Sequence, residues 1–174
     1  GSRTTLKFLT PLYLTLKKIQ ELYPIRLLVI CDVAPPKFDG IHIDYLPWKL
    51  DTEIDDLLQM DIGIMPLPNN KWSQGKCGFK ILQYLALGIP AIASPIGVNT
   101  DIIEEGQNGF LATNESEWID ALSKLIENPQ LRTKMGLAGR KTIENRYSVK
   151  AIRDQYLQAF NNLLNLNPEN VVKK

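Results

Sequence analysis

Five short apolar strings limit what this chain can become. They are IRLLVIC at 25–31, IHIDYL at 41–46, DIGIMPL at 61–67, IPAIAS at 89–94 and GFLA at 109–112. Each is too short for a buried helix, and most are rich in branched residues and bounded by proline, glycine or polar turns, the pattern of a strand. Helical periodicity fills the intervals. Leu12, Leu16, Ile19 and Tyr23 share one helical face, with Thr10-Pro11 as cap and first-turn proline and Pro24 as the stop. LDTEIDDLLQM at 50–60, KILQYLALG at 80–88 and NTDIIEEG at 99–106 read as further helices. From Glu115 onward three helical segments follow, parted at Asn128-Pro129 and Tyr147-Ser148. Strands alternating with helices imply an α/β fold, a Rossmann-like parallel sheet with helices on both faces and C-terminal helices packed against it. One domain over 1–174 is expected, with a frayed tail at 168–174.

Composition narrows the function classes. The chain has 174 residues, 44% hydrophobic and 22% charged, the balance of a soluble globular protein. Its net charge of +1 gives no overall field that would recruit nucleic acid or acidic lipid. Cys31 and Cys77 are too few for a disulfide framework and suit a reducing, cytoplasmic setting. No apolar run reaches the roughly 18 residues of a membrane span. His42 is the only histidine, so no histidine pair can hold a metal, and its expected place is a strand surface. Asp51, Glu53, Asp55 and Asp56 are interleaved with apolar residues, which suits a solvated helix face rather than a metal site.

In open α/β sheets, ligands bind outside the carboxyl ends of the strands. Three loops leave those ends, at 31–40, 66–78 and 94–99. PLPNNKWSQGKCG and SPIGVN each run into a helix, so both are expected on one edge, with helix N-termini facing one crevice. A helix N-terminus offers unpaired N–H groups and partial positive charge. Gly75 and Gly78 permit close backbone approach, Lys76 and Lys80 add charge, and the Gln83 amide can bond a sugar hydroxyl. The same residues also make an ordinary turn with solvated lysines, and the residues alone leave both readings open. Neither a Walker A loop nor a G-x-G-x-x-G fingerprint is present. Cys77 reads as a small packing residue, and Trp48 and Trp118 as packing residues. Trp72 either stacks on a ligand or anchors its loop.

The stretch GKCGFKILQYLALGIPAIASPIGVNTDIIEEGQNGFLA, its closing helices and the SRTTLKFL opening together resemble the C-terminal domain of family 4 (group 1) glycosyltransferases of the GT-B fold. The resemblance covers nearly the whole chain and is densest from Asp61 to Tyr147. It implies the donor-binding half of a two-domain enzyme, with an N-terminal acceptor domain as the missing partner. It implies a retaining transfer of sugar from a UDP- or GDP-linked nucleotide-sugar, as substrate, to a glycan or lipid-linked acceptor in polysaccharide biosynthesis, with no metal or other cofactor. A location in the cytoplasm, at the inner membrane face through the other half, goes with it, as does inactivity of this half alone.

Donor contacts implied by the resemblance are Gly75, Lys76, Cys77, Gly78, Phe79, Lys80 and Gln83, with Gly97, Val98 and Asn99 in the neighbouring loop. Ser2 and Thr4 match a loop that approaches phosphate, and Asp101 matches a first-turn acid. One departure stands out. The two glutamates of the family's E-x7-E pattern align with Gly75 and Gln83. Gln83 keeps the capacity to bond ribose, whereas Gly75 has no side chain to touch the sugar. The catalytic residue is therefore unassigned. The rival readings are a catalytically silent nucleotide-binding or interaction module and, with less support from the residues, a sugar-nucleotide epimerase.

Overall fold

All five strings become strands in the computed structural model, which describes residues 6–164. They are β1 (Leu27–Cys31), β2 (Ile43–Pro47), β3 (Gly63–Met65), β4 (Ala91–Ala93) and β5 (Gly109–Leu111). Ser2, Thr4 and the 168–174 tail lie outside the described residues. A 3-10 turn, Lys7–Leu12, leads into α1 (Tyr13–Leu22). Pro11 sits inside that turn and Thr10 does not cap the helix, which begins two residues later than the sequence suggests. Next come α2 (Glu53–Leu57), a single turn α3 (Lys71–Gln74), α4 (Phe79–Ala86) and α5 (Asn99–Ile102). The carboxyl-terminal part holds α6 (Glu115–Glu127), α7 (Pro129–Thr142), a π-helical turn Ile143–Tyr147 and α8 (Val149–Leu164). The breaks fall at Asn128 and Ser148, where the sequence places them.

Every strand pair is parallel, as strands linked by crossovers must be. The pairing falls into two sheets, β1–β2 and β3–β4–β5, rather than the single sheet expected. No ladder joins β1 to β3 among the described residues. Two apolar layers nevertheless run across both sheets. Leu12 of the 3-10 turn and Leu16 and Ile19 of α1 pack with Val29, Ile92 and the Trp118, Leu122 and Leu125 side chains of α6 on one face. Leu57, Ile81, Leu85 and Ile102 pack with Ile30, Met65 and Ala93 on the other. Trp118 is thus core, as expected from its sequence context. Lys18 pairs with Glu115, and the Tyr23 hydroxyl donates to Glu127, tying α1 to α6.

Candidate functional site: a polar mouth at the carboxyl edge

The loops after β3 and β4 meet at the carboxyl edge of the sheets. Ser94 joins their bases, its Oγ accepting from the Leu67 N–H at 3.0 Å. Within the first loop, Asn70 Oδ1 accepts from Ser73 N–H at 2.9 Å and caps α3, a turn absent from the sequence reading. Gly78 then adopts φ 67° and starts α4. A Cβ on Gly78 would run into Ile102 Cδ1 and lie 3.2 Å from Val98 Cγ2, so only glycine fits against the second loop. Gly97 answers from the other side. Its φ is 55°, and a Cβ would stand 2.6 Å from the Gln74 carbonyl oxygen. The two loops interlock through these glycines. Gly75 is different: its φ is −82° and its Cβ position is open, the nearest atom being 3.7 Å away.

A cavity of about 170 Å³ opens between β1 and β3. Its throat is apolar, lined by Leu28, Ile30, Ile64 and Met65. Its mouth carries Lys76, Lys80 and Gln83 from the loop and α4, with Trp48 and Glu53 from the segment after β2. Lys80 is half-buried. Burial first, and the neighbouring Lys76 charge second, hold its pKa below the ordinary lysine value, while Cys31 and Glu53 oppose the shift. Its ammonium makes no hydrogen bond or ion pair among the described residues. The Lys76 ammonium stands 5.6 Å from the Phe8 ring centroid, a cation–π contact. Glu53 accepts from the Trp48 indole N–H at 2.9 Å. Burial pushes the Tyr84 phenol beneath the mouth up to about 12, so it stays protonated. Two long cations with one carboxylate nearby form a mouth suited to an anion.

The structure therefore brings Lys76, Lys80 and Gln83 together on one cavity. Gly75, Cys77, Gly78, Gly97 and Val98 stand in the flanking loops instead, and Phe79 and Asn99 open α4 and α5. Asn99 is fully buried and donates to the Ser94 carbonyl at 2.9 Å, so its side chain braces the second loop from inside. Cys77 is exposed rather than packed, since the loop carries it outward past the glycine turn. Trp72 is 71% exposed. His42 is exposed and bonded to Asp44 at 3.1 Å, just ahead of β2. Trp48, Glu53 and Tyr84 were missed as site residues. The signal for the first two is their position immediately after β2, in a fourth segment leaving a strand's carboxyl end.

A model of the glycosyl transferases group 1 family matches residues 39–142, more than half of the chain. The chain belongs to that family. The group 1 match spans both interlocked loops and the mouth lysines. Human alpha-1,3/1,6-mannosyltransferase ALG2 is 26% identical over 126 residues, covering 72% of this chain and 29% of ALG2. The C-terminal domain of the group 1 glycosyl transferase LpcC from Francisella tularensis superposes with a TM-score of 0.62 at 22% identity, covering 86% of this chain and 84% of that one. A TarM mutant of S. aureus, solved with Fondaparinux, alpha-GlcNAc-glycerol and UDP, gives a TM-score of 0.68 at 18% identity, covering 91% and 33%. The chain spans less than a third of the length of the curated relatives it matches. These likenesses establish the GT-B, Rossmann-like fold for this group 1 chain, in the manner of a C-terminal domain. No helix among the described residues is long and apolar enough to cross a membrane.

Proposed function

We propose that this group 1 chain is the nucleotide-sugar-binding domain of a retaining glycosyltransferase acting on a glycan or lipid-linked acceptor. The observation that carries this reading is Lys80, a half-buried ammonium without a hydrogen-bonding counter-ion, set beside Lys76 at the sheet's carboxyl edge. A nucleoside diphosphate, UDP or GDP, would place its phosphates across these two lysines. The N–H groups at the start of α4, with the backbone of Gly75, Cys77, Gly78 and Phe79, would face the same anion. Gln83, one turn further along α4, would bond the ribose. Gly97, Val98 and Asn99 would hold the second loop against the first. As the sugar leaves, negative charge grows on the diphosphate, and fixed cations there stabilise the transition state more than the ground state. Retention of configuration fits a family in which relatives are named for alpha-linked products.

The test is calorimetric titration of the folded chain with UDP, GDP and their sugar conjugates. Binding in the micromolar to millimolar range is expected, and its absence at millimolar nucleotide would end the reading. The silent-module alternative draws on Gly75 and Gln83 standing where the family resemblance implies carboxylates. It predicts that the chain binds nucleotide yet never supports transfer when joined to an acceptor domain.

A further inference from the structure

The two lysines of the mouth stand in different surroundings. Lys76 comes from the loop ahead of α4, and its ammonium lies against the Phe8 ring. Lys80 comes from the first turn of α4, is half-buried, and makes no hydrogen bond or ion pair among the described residues. Both line the same cavity at the carboxyl edge. We propose that Lys80 is a site of covalent acylation by small acyl phosphates, Lys76 holding the donor's phosphate while the Lys80 Nζ takes the acyl group. This deepens the nucleotide-sugar reading, and its consequence for the enzyme rests on that reading. Acylation removes one of the two cations across which a diphosphate would lie.

A lysine attacks a carbonyl only through the lone pair of its neutral amine. Desolvation and a second cation close by both favour that form. Lys80 has both. Burial is the larger cause of its lowered pKa and the Lys76 charge the next. Cys31 of β1 and Glu53 of α2 face it as well and pull the other way without reversing the shift. Tyr84, also on this cavity, is a neutral phenol. By contrast, Lys134 and Lys141 of α7 and Lys150 of α8 are exposed.

The spacing of the two amines selects the donor. In an acyl phosphate the carbonyl carbon is separated from phosphorus by one bridging oxygen. A phosphate seated on Lys76 therefore carries its carbonyl to a neighbouring amine at the same mouth. A thioester whose phosphates lie at the far end of a long arm gains nothing from Lys76. In the reaction the Nζ lone pair adds to the carbonyl carbon, so that a C–N bond forms and the C–O bond to phosphate breaks. Inorganic phosphate leaves with that electron pair, its charge stabilised by Lys76. The proton lost from nitrogen passes to the phosphate or to water. The product is a neutral amide, which half-burial no longer penalises as it does a charge.

The experiment treats the folded chain with millimolar acetyl phosphate. The remaining amines are blocked with isotopically heavy acetic anhydride after unfolding, and mass spectrometry gives the occupancy of each lysine against time. Lys80 is expected to react roughly tenfold or more faster than Lys134, Lys141 and Lys150, a small part of what holding a donor in place supplies. Inorganic phosphate is expected to slow Lys80 and leave those three unchanged. A phosphate-free donor, the N-hydroxysuccinimide ester of acetate, is expected to show a smaller preference for Lys80. A Lys80 rate no higher than that of the exposed lysines overturns the proposal. So does an equal preference with the phosphate-free donor, or a Lys80 rate that inorganic phosphate does not lower, since either leaves amine reactivity alone as the cause. The acylated chain is then titrated with UDP, and a loss of affinity of roughly 10- to 100-fold is expected. Unchanged affinity overturns the consequence for the enzyme. A chain that binds no UDP before treatment, yet acylates selectively at Lys80, ends the nucleotide reading and leaves the modification site standing. One that binds UDP without selective acylation ends only the modification site.

Discussion

Lys80 is half-buried at the mouth, and its ammonium makes no hydrogen bond or ion pair among the described residues, a position that costs stability when no anion is bound. Two predictions follow from that cost. Lys80→Ala should weaken UDP or GDP binding roughly 10- to 100-fold, the size of a charge-assisted hydrogen bond to phosphate, read by calorimetry. Lys80→Met should be more stable than the native chain at neutral pH. The sign follows from the lowered pKa. The folded state binds the lysine proton less tightly than the unfolded state, so the native chain gains stability as pH rises from the lowered pKa toward the ordinary value of 10.5. The methionine variant lacks that gain. Its advantage in Tm should therefore be full below the lowered pKa and close as pH approaches 10.5. An advantage that is independent of pH would mean packing rather than charge is responsible. The sequence shows a lysine near a helix start, but its burial depends on residues far along the chain, such as Leu28, that line the same cavity.

At the scale of elements, the site depends on two loops held by contact between their main chains. Gly97→Ala should cost about 1–3 kcal/mol in urea unfolding, because a methyl group meets the Gln74 carbonyl in a backbone region that favours glycine. Gly75→Ala should change stability by less than about 0.5–1 kcal/mol, and in the stabilising direction, since its backbone is ordinary and its surroundings are open. Comparable losses in both variants would refute the interlock. Strands, helix breaks and the shared edge of the two loops were legible in the sequence because apolar strings and turn residues act locally. The 3-10 entry to α1 and the single turn α3 were not, because their ends are set by Pro11 within a turn and by an Asn70 cap with no apolar period behind it. The ten-residue run from Pro66 to Gly75 reads as a loop on composition alone.

For the molecule as a whole, the order β2, β1, cavity, β3, β4, β5 runs outward in both directions from the cavity. Such a reversal is where an open α/β sheet forms its ligand crevice. This accounts for the position of the mouth lysines. The isolated chain should bind nucleotide and transfer no sugar. Turnover by this chain alone, measured by radiolabelled sugar incorporation, would contradict the half-site reading. The α/β class was readable from alternation, whereas the division into two sheets was not, since a break in pairing between β1 and β3 leaves no mark in either string. The loop interlock also bears on how such a chain can drift through mutation. Gly97 presses on the main-chain oxygen of residue 74, while the Gln74 side chain points to Asn69 at the surface. Selection should therefore act unequally on the two partners, with position 97 fixed as glycine across descendants and position 74 free to become almost anything but proline.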